Sequence, residues 1–102
     1  MKFYLIVDVA DIREAEKYAE YVRRVPTVVA AFGGRYLARG GKTEVLSGDW
    51  RPGRMAIVEF SSRDALQSWL KSEEYRAIVH LREEAASANA AFIEGCEEDL
   101  PC

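Results

Sequence analysis

The chain of 102 residues contains few cysteines, one histidine, no long apolar run and no excess of positive charge. Its two cysteines, Cys96 and Cys102, both lie within the last seven residues. Because no second Cys or His pair follows at ligand spacing, we expect neither a zinc site nor another metal. In an intracellular protein both thiols are expected to be reduced, and a disulfide within the tail is the alternative.

Charge and hydropathy exclude further classes of protein. The 14 Lys and Arg residues are outnumbered by 17 Asp and Glu residues, for a net charge of −3, whereas nucleic-acid binding usually needs a basic face. No apolar run approaches the roughly 20 residues that span a bilayer. The first residues are predicted to form a strand, and they lack the basic segment, apolar core and cleavage site of a signal peptide. We therefore expect a cytoplasmic protein with no nucleic-acid or membrane partner.

The first predicted strand, residues 3–9, is apolar on both of its faces. Side chains alternate along a strand, so Phe3, Leu5, Val7 and Val9 point one way and Tyr4 and Ile6 the other. A strand with one solvent-exposed face would alternate apolar and polar residues. Both faces of the sheet must therefore be covered, and a chain this short supplies only one helical layer. We expect a second copy of the chain to cover the other face.

The remaining pattern predicts an α+β fold. Asp11 and Glu14 resemble a capping box that opens a helix, Pro26 predicts a kink or break in it, and Gly33-Gly34 ends it after Phe32. Further strands are predicted at 35–39, 43–47, 54–60 and 88–94, with helices after Ser61 or Ser62 and from Glu73 to about Ala86. This order is the split βαβ, or ferredoxin-like, pattern: a four-stranded antiparallel sheet with helices on one face. The domain would span 1–95 and an acidic tail 96–102.

Several sequence blocks together resemble the domain-of-unknown-function family 1330. They include Tyr4–Val9, Val25-Pro26, Phe32–Gly41, Gly48–Pro52, Ser72-x-x-Tyr75 and Leu81-Arg82, and the resemblance covers about residues 2–95. It implies a dimeric α+β barrel, in which two ferredoxin-like subunits join sheet to sheet. It implies no particular reaction. The wider superfamily contains cofactor-free monooxygenases, isomerases and haem enzymes, as well as domains that only bind ligands.

Arg82 is the first candidate for ligand binding. It shares a predicted helix with Tyr75 and Val79, from which a guanidinium can reach into a cleft and hold an anion. The alternative is a structural ion pair with Asp8 or Glu59. These two carboxylates interrupt apolar strands near their ends, and if they are buried near each other the pKa of one would rise and give a candidate acid or base. Otherwise both lie at a solvated strand edge or a helix cap.

Other candidate residues carry weaker signals. His80, the only histidine, is a candidate base or haem ligand, and more often such a residue lies on a helix surface. Regular alternation places Arg35 and Arg39 on one face of their strand and Tyr36 on the other. The two arginines could bind an anion there or pair with Glu44. Tyr18 lines a cleft or packs in the core. Trp50 covers a pocket or packs against a partner subunit.

These residues support three hypotheses about function. The first is a homodimer that binds a small polar or anionic molecule in a helix–sheet cleft, with Arg82, Tyr36, Tyr18, Arg39 and Trp50 as ligand-binding candidates. The second is a cofactor-free enzyme that abstracts a proton or oxygenates its substrate. Its catalytic candidates are Asp8, Glu59 and His80. The third is a dimer with no small ligand. No cofactor is expected in any of them.

Overall fold

The chain folds into four strands and four helices. In sequence order they are β1 (Phe3–Ile12), α1 (Ala15–Ala31), β2 (Arg35–Arg39), β3 (Arg54–Phe60), α2 (Arg63–Lys71), α3 (Glu73–Arg76), α4 (Val79–Ala85) and β4 (Ala86–Glu94). The strands form one antiparallel sheet in the order β2-β3-β1-β4. This computed structural model describes residues 1–96, so all of the expected acidic tail except Cys96 lies outside the described residues.

The two sheet faces have the side chains that the alternation predicts. In the β1–β3 ladder, Leu5 lies opposite Val58 and Val7 opposite Ala56, on the face that the helices cover. Phe60 and Leu66 are completely buried in that layer. Each such side chain contributes on the order of 2 kcal/mol through loss of apolar surface. The opposite face carries no element among residues 1–96 that buries Ile6, which stays 36% exposed.

Helix α1 begins and continues differently from expectation. β1 extends to Ile12 through an irregularity at Asp11, whose φ is 53°, and Glu14 stands at the helix start without a side-chain cap. The predicted capping box is therefore wrong, because the strand occupies its first residue. Of the kink or break expected at Pro26, the break does not occur, because the helix runs through this residue. It ends as predicted, since Gly33 and Gly34 donate to the carbonyls of Ala30 and Val29 in a Schellman motif.

Two serines begin the later helices, as the sequence indicates. Ser62 Oγ accepts from the Ala65 N–H at 3.1 Å, and Ser72 Oγ accepts from the Tyr75 N–H at 3.1 Å. The last helical stretch is two segments, α3 and α4, and not the single predicted helix. Between them the Ile78 N–H donates to the carbonyl three residues earlier, which tightens the turn and interrupts the α-helical pattern.

Three other expectations need correction or narrowing. Residues 43–47 form no strand and lie exposed in the long β2–β3 connection. Cys96 is disulfide-bonded, so the expected reduced thiol there is wrong, and Cys102 is outside the described residues. Within residues 1–96, no helix has the length and apolar character needed to cross a membrane.

Candidate functional site

A cavity of about 140 Å³ lies between the covered sheet face and the helices. Its walls are mostly aliphatic: Leu5, Val7, Val9, Val22, Val25, Ala56, Val58, Leu70 and Ala90. A cavity of roughly 150 Å³ with such walls accepts a benzene molecule in an engineered protein. The space between helices and sheet is therefore large enough for one six-membered ring.

The polar groups of the cavity are phenols, guanidinium groups and one indole N–H, that of Trp69, which has no hydrogen-bond partner within residues 1–96. The phenols and guanidinium groups come from Tyr18, Tyr21, Tyr36, Tyr75, Arg39, Arg54 and Arg82, and no Asp or Glu is among the described lining residues. Arginine keeps its charge at every physiological pH. The lining thus carries three positive charges and no negative one. Four of the five ligand-binding candidates from the sequence, Tyr18, Tyr36, Arg39 and Arg82, lie together here.

A bulge in β2 brings Tyr36 and Arg39 to the same face. Tyr36 lies opposite Val58 and Arg39 opposite Ala56, and the register shifts at Leu37, the extra residue between them. Regular alternation had placed Arg39 with Arg35, away from Tyr36, and that interpretation is wrong because of the bulge. Both Tyr36 and Arg39 therefore reach the cavity.

The guanidinium group of Arg39 is anchored on helix α1. It donates to the main-chain carbonyl of Val22 and lies 5.0 Å from the centre of the Tyr36 ring. In an uninterrupted helix this carbonyl accepts from the N–H four residues later, but that residue is Pro26, which has none. The proline thus leaves an acceptor that holds a cavity arginine in place.

Arg54, at the start of β3, is a cavity residue that sequence reasoning did not single out. Its Nη1 donates to the Tyr18 hydroxyl at 3.1 Å, and its guanidinium carbon lies 5.8 Å from the centre of the Tyr18 ring. A Cβ on Gly40 would come within 2.8 Å of the Arg54 Nε, so the glycine leaves room for this side chain. Alternation was the available signal, because Arg54 shares its face with Ala56 and Val58.

Arg82, on α4, is half-buried beside the phenols of Tyr75 and Tyr21. Burial is the largest single effect and lowers the pKa of the Arg82 guanidinium. The two phenols together outweigh this effect, so the pKa of Arg82 is raised above its ordinary value. Within residues 1–96 Arg82 forms no ion pair, so the expected pairing with Asp8 or Glu59 is wrong. The physical reason is that both carboxylates project from the opposite face of the sheet.

The buried phenols stay protonated. Burial is the largest cause that raises the pKa of Tyr21, followed by its neighbour Tyr75. Burial also raises the pKa of Tyr36, although the charges of Arg39 and Arg54 oppose the shift. Neutral hydroxyl groups can donate hydrogen bonds to a bound anion.

Asp8 and Trp50 lie on the open face of the sheet, outside the cavity. Asp8 Oδ2 accepts from the Trp50 indole N–H at 3.0 Å, and Oδ1 accepts from the Gly53 N–H at 2.8 Å. A Cβ on Gly53 would come within 2.1 Å of the Val9 carbonyl oxygen, so this close approach needs a glycine. The carboxylate fixes the end of the long loop against β1, and Trp50 does not join the other ligand-binding candidates.

The other two catalytic candidates also lie away from the cavity. Glu59 is in ion pairs with Lys2 and Arg35, at 3.4 Å and 3.5 Å. The register does not bring it to Asp8, because Glu59 lies opposite Tyr4, which is roughly 13 Å along the strand from Asp8. His80 is exposed on α4. No cluster of three His, Cys, Asp or Glu side chains in residues 1–96 is placed to hold a metal ion.

The strand order, the antiparallel pairing and the single helical layer define a ferredoxin-like α+β protein. Residues 2–96 match the model of a domain of unknown function, DUF1330, and the chain belongs to that family. No curated protein matches the chain.

Solved structures share the fold at low sequence identity. A protein of unknown function from Rhodopseudomonas palustris is 22% identical, with 94% of this chain and 83% of that chain covered and a TM-score of 0.75. A dimeric ferredoxin-like protein of unknown function from a Jannaschia species is 10% identical, with 93% and 100% covered and a TM-score of 0.77. SnoaB, a cofactor-independent oxygenase from Streptomyces nogalater, is 11% identical, with 96% and 94% covered and a TM-score of 0.60.

Proposed function

We propose that the chain binds a small anionic molecule in the cavity between helices and sheet. The observation that carries the proposal is the set of three guanidinium groups, on Arg39, Arg54 and Arg82, in a lining without a carboxylate. Taking a charge out of water is costly unless an opposite charge or hydrogen bonds compensate for it. A bound anion supplies that compensation. Apolar walls with a few converging polar groups are typical of small-molecule sites.

Binding is favoured over proton abstraction because the catalytic candidates are elsewhere. Asp8, Glu59 and His80 do not line the cavity, and its described lining includes neither a carboxylate nor an imidazole. The likeness to an oxygenase at 11% identity concerns the fold alone. A purely structural dimer is also less favoured, because such a protein has no need of an arginine-lined cavity.

A binding screen tests this proposal. The full chain is titrated with benzoate, phenyl phosphate and the neutral analogue benzamide, and amide NMR shifts and melting temperature are followed. We expect the anions to raise the melting temperature and to shift signals of cavity residues such as Leu5 and Val58, while benzamide does so weakly. The proposal is wrong if none of the three compounds binds in the cavity, or if benzamide binds as tightly as the anions.

We also propose a cytoplasmic homodimer joined through the open sheet face. That face exposes Ile6 and Ile93, the latter by 58%, and the Jannaschia neighbour is described as dimeric. Sedimentation equilibrium tests the assembly. One chain has a mass of 11.5 kDa, so twice that mass is expected, and a mass near one chain at micromolar concentration would contradict the dimer. Fractionation of cells tests the location, and recovery with membranes would oppose it.

A matched pair of variants tests the interface. Ile93→Glu places a charge on the open face at a side chain that is already exposed, so the fold of the subunit is retained. We expect it to sediment as a monomer. Leu46→Glu is the control, because Leu46 is 98% exposed and lies outside the sheet, in the β2–β3 connection. A dimeric Ile93→Glu variant would show that the interface is elsewhere.

A further inference from the structure

The three cavity arginines differ in what already holds them. Arg39 is bound to a helix carbonyl, that of Val22, and Arg54 to the hydroxyl of Tyr18. Each of these contacts fixes an arginine at the β2–β3 side of the cavity. Arg82 approaches from α4 and lies beside two uncharged phenols, those of Tyr75 and Tyr21, with which it interacts. It is therefore the cavity cation that has two neutral hydroxyl groups beside it.

The neighbours of Arg82 complete a binding site for a planar anion. A guanidinium presents two parallel N–H groups that match the two oxygens of a carboxylate. The hydroxyls of Tyr21 and Tyr75 stand beside it and also interact with each other. Because both are neutral phenols and one proton is used in the bond between them, the other hydroxyl has its proton to donate to a carboxylate oxygen.

The rest of the cavity fixes the body of the ligand. Leu5, Val7 and Val58 provide an aliphatic wall on the sheet, and the Trp69 ring packs 4.1 Å from the Tyr75 ring, centre to centre. The volume of about 140 Å³ admits an apolar body of about one ring. A dianionic phosphate is disfavoured here, because most of the wall is apolar and a second negative charge is costly to take out of water.

We infer that the ligand is a monocarboxylate with an apolar body of about one ring, and that Arg82, Tyr21 and Tyr75 bind its carboxylate. This inference rests on the proposed function and specifies its ligand class. It assigns Arg39 and Arg54 to shaping the cavity and to attracting the anion. It assigns direct charge recognition to residues of α1, α3 and α4.

Calorimetric titration of the full chain tests the inference. Benzoate is compared with phenyl phosphate, and Arg82→Gln with the matched control Arg76→Gln, an exposed arginine on the neighbouring helix α3. We expect benzoate to bind more tightly than phenyl phosphate. Loss of a charged hydrogen-bonding partner should weaken benzoate by about tenfold or more in Arg82→Gln, and the control should stay within about twofold.

Additional variants keep the test decisive if Arg82→Gln fails to fold. Arg82→Lys retains the charge and loses the planar pair of donors, and Tyr75→Phe removes only a hydroxyl, so each should weaken benzoate while the melting temperature without ligand stays near that of the parent. The inference is overturned if benzoate binds equally to these variants, or if phenyl phosphate binds more tightly. Either result leaves anion binding intact, whereas the absence of any anion binding removes the proposed function itself.

Discussion

Arg39 donates a hydrogen bond from its guanidinium group to the main-chain carbonyl of Val22. Pro26, four residues after Val22, has no N–H to offer that carbonyl. A local defect of the helix thus becomes an anchor for a cation of the cavity. This contact also links α1 to the edge strand β2, which carries Arg39.

A double-mutant cycle measures this relationship. Pro26→Ala restores the helical N–H and should stabilise the chain by about 1–2 kcal/mol, because proline is unfavourable inside a helix. Arg39→Gln should cost about 1–2 kcal/mol with proline present, since a charged hydrogen bond is lost. With alanine at position 26 we expect less than half of that cost. Urea unfolding of the four chains gives the coupling.

The control for the cycle is Thr27→Ala, an exposed change on the same helix turn. Combined with Arg39→Gln, it should be additive within a few tenths of a kcal/mol. Additivity in the Pro26→Ala cycle as well would show that the proline does not determine how strongly the Val22 carbonyl holds Arg39.

Gly34→Ala should destabilise the chain by about 1–3 kcal/mol through overpacking. A Cβ there would come within 2.6 Å of Val29 Cγ1 and 2.8 Å of Phe60 Cε1, both in the buried core. Gly41→Ala is the matched control, because nothing lies within 4 Å of its added Cβ. Urea unfolding should separate the two variants, and equal free energies of unfolding would mean that the core near Phe60 is loose.

Asp8→Ala should cost about 1–2 kcal/mol, because it leaves the Trp50 indole and the Gly53 N–H without their acceptor. It should also make Trp50 more accessible to acrylamide, which fluorescence quenching measures against the buried Trp69. Asp49→Ala removes the same charge from the exposed loop and should change neither quantity. Unchanged quenching in Asp8→Ala would show that the loop is held by other contacts.

The cavity phenols should make the fold sensitive to alkali. Burial raises the pKa of Tyr21 above its ordinary value of 10.0, so above about pH 10 the unfolded chain loses this proton more readily than the folded one. The stabilisation from Tyr21 is thus fully present below pH 10 and is lost as pH rises beyond it.

Tyr21→Phe checks this direction, with Tyr4→Phe as the control on the other sheet face. Urea unfolding at about pH 9 and about pH 11 should show a smaller alkaline loss of stability for Tyr21→Phe than for the parent chain. An equal loss in the parent and in Tyr21→Phe would contradict the burial of this phenol.

Much of the fold follows from the side-chain pattern alone. β1 and β3 carry apolar side chains on both of their faces, and the register confirms that Leu5 and Val58 share the buried face. The helix caps at Ser62 and Ser72 are local hydrogen bonds that involve only neighbouring residues, so they too were predictable. Arg82 was identified as a candidate because it is a charged residue on an otherwise buried helix face.

The rest depended on contacts that are distant in sequence. The bulge at Leu37 has no evident local signal, yet it decides that Arg39 faces the cavity. Local rules predicted a kink or a break at Pro26, but the helix continues through it, and the distant Arg39 binds the Val22 carbonyl that the proline cannot. Asp8 could be placed on a face, but its bonds to the loop at Trp50 depend on how that loop folds back.

A crystal structure of the full chain grown with benzoate tests whether the cavity binds a monocarboxylate through Arg82. We expect benzoate between helices and sheet, with its carboxylate against the Arg82 guanidinium and its ring on the wall formed by Leu5 and Val58. Benzoate bound only outside this cavity, or inside it with its carboxylate turned away from Arg82, would show that Arg82 does not recognise the ligand.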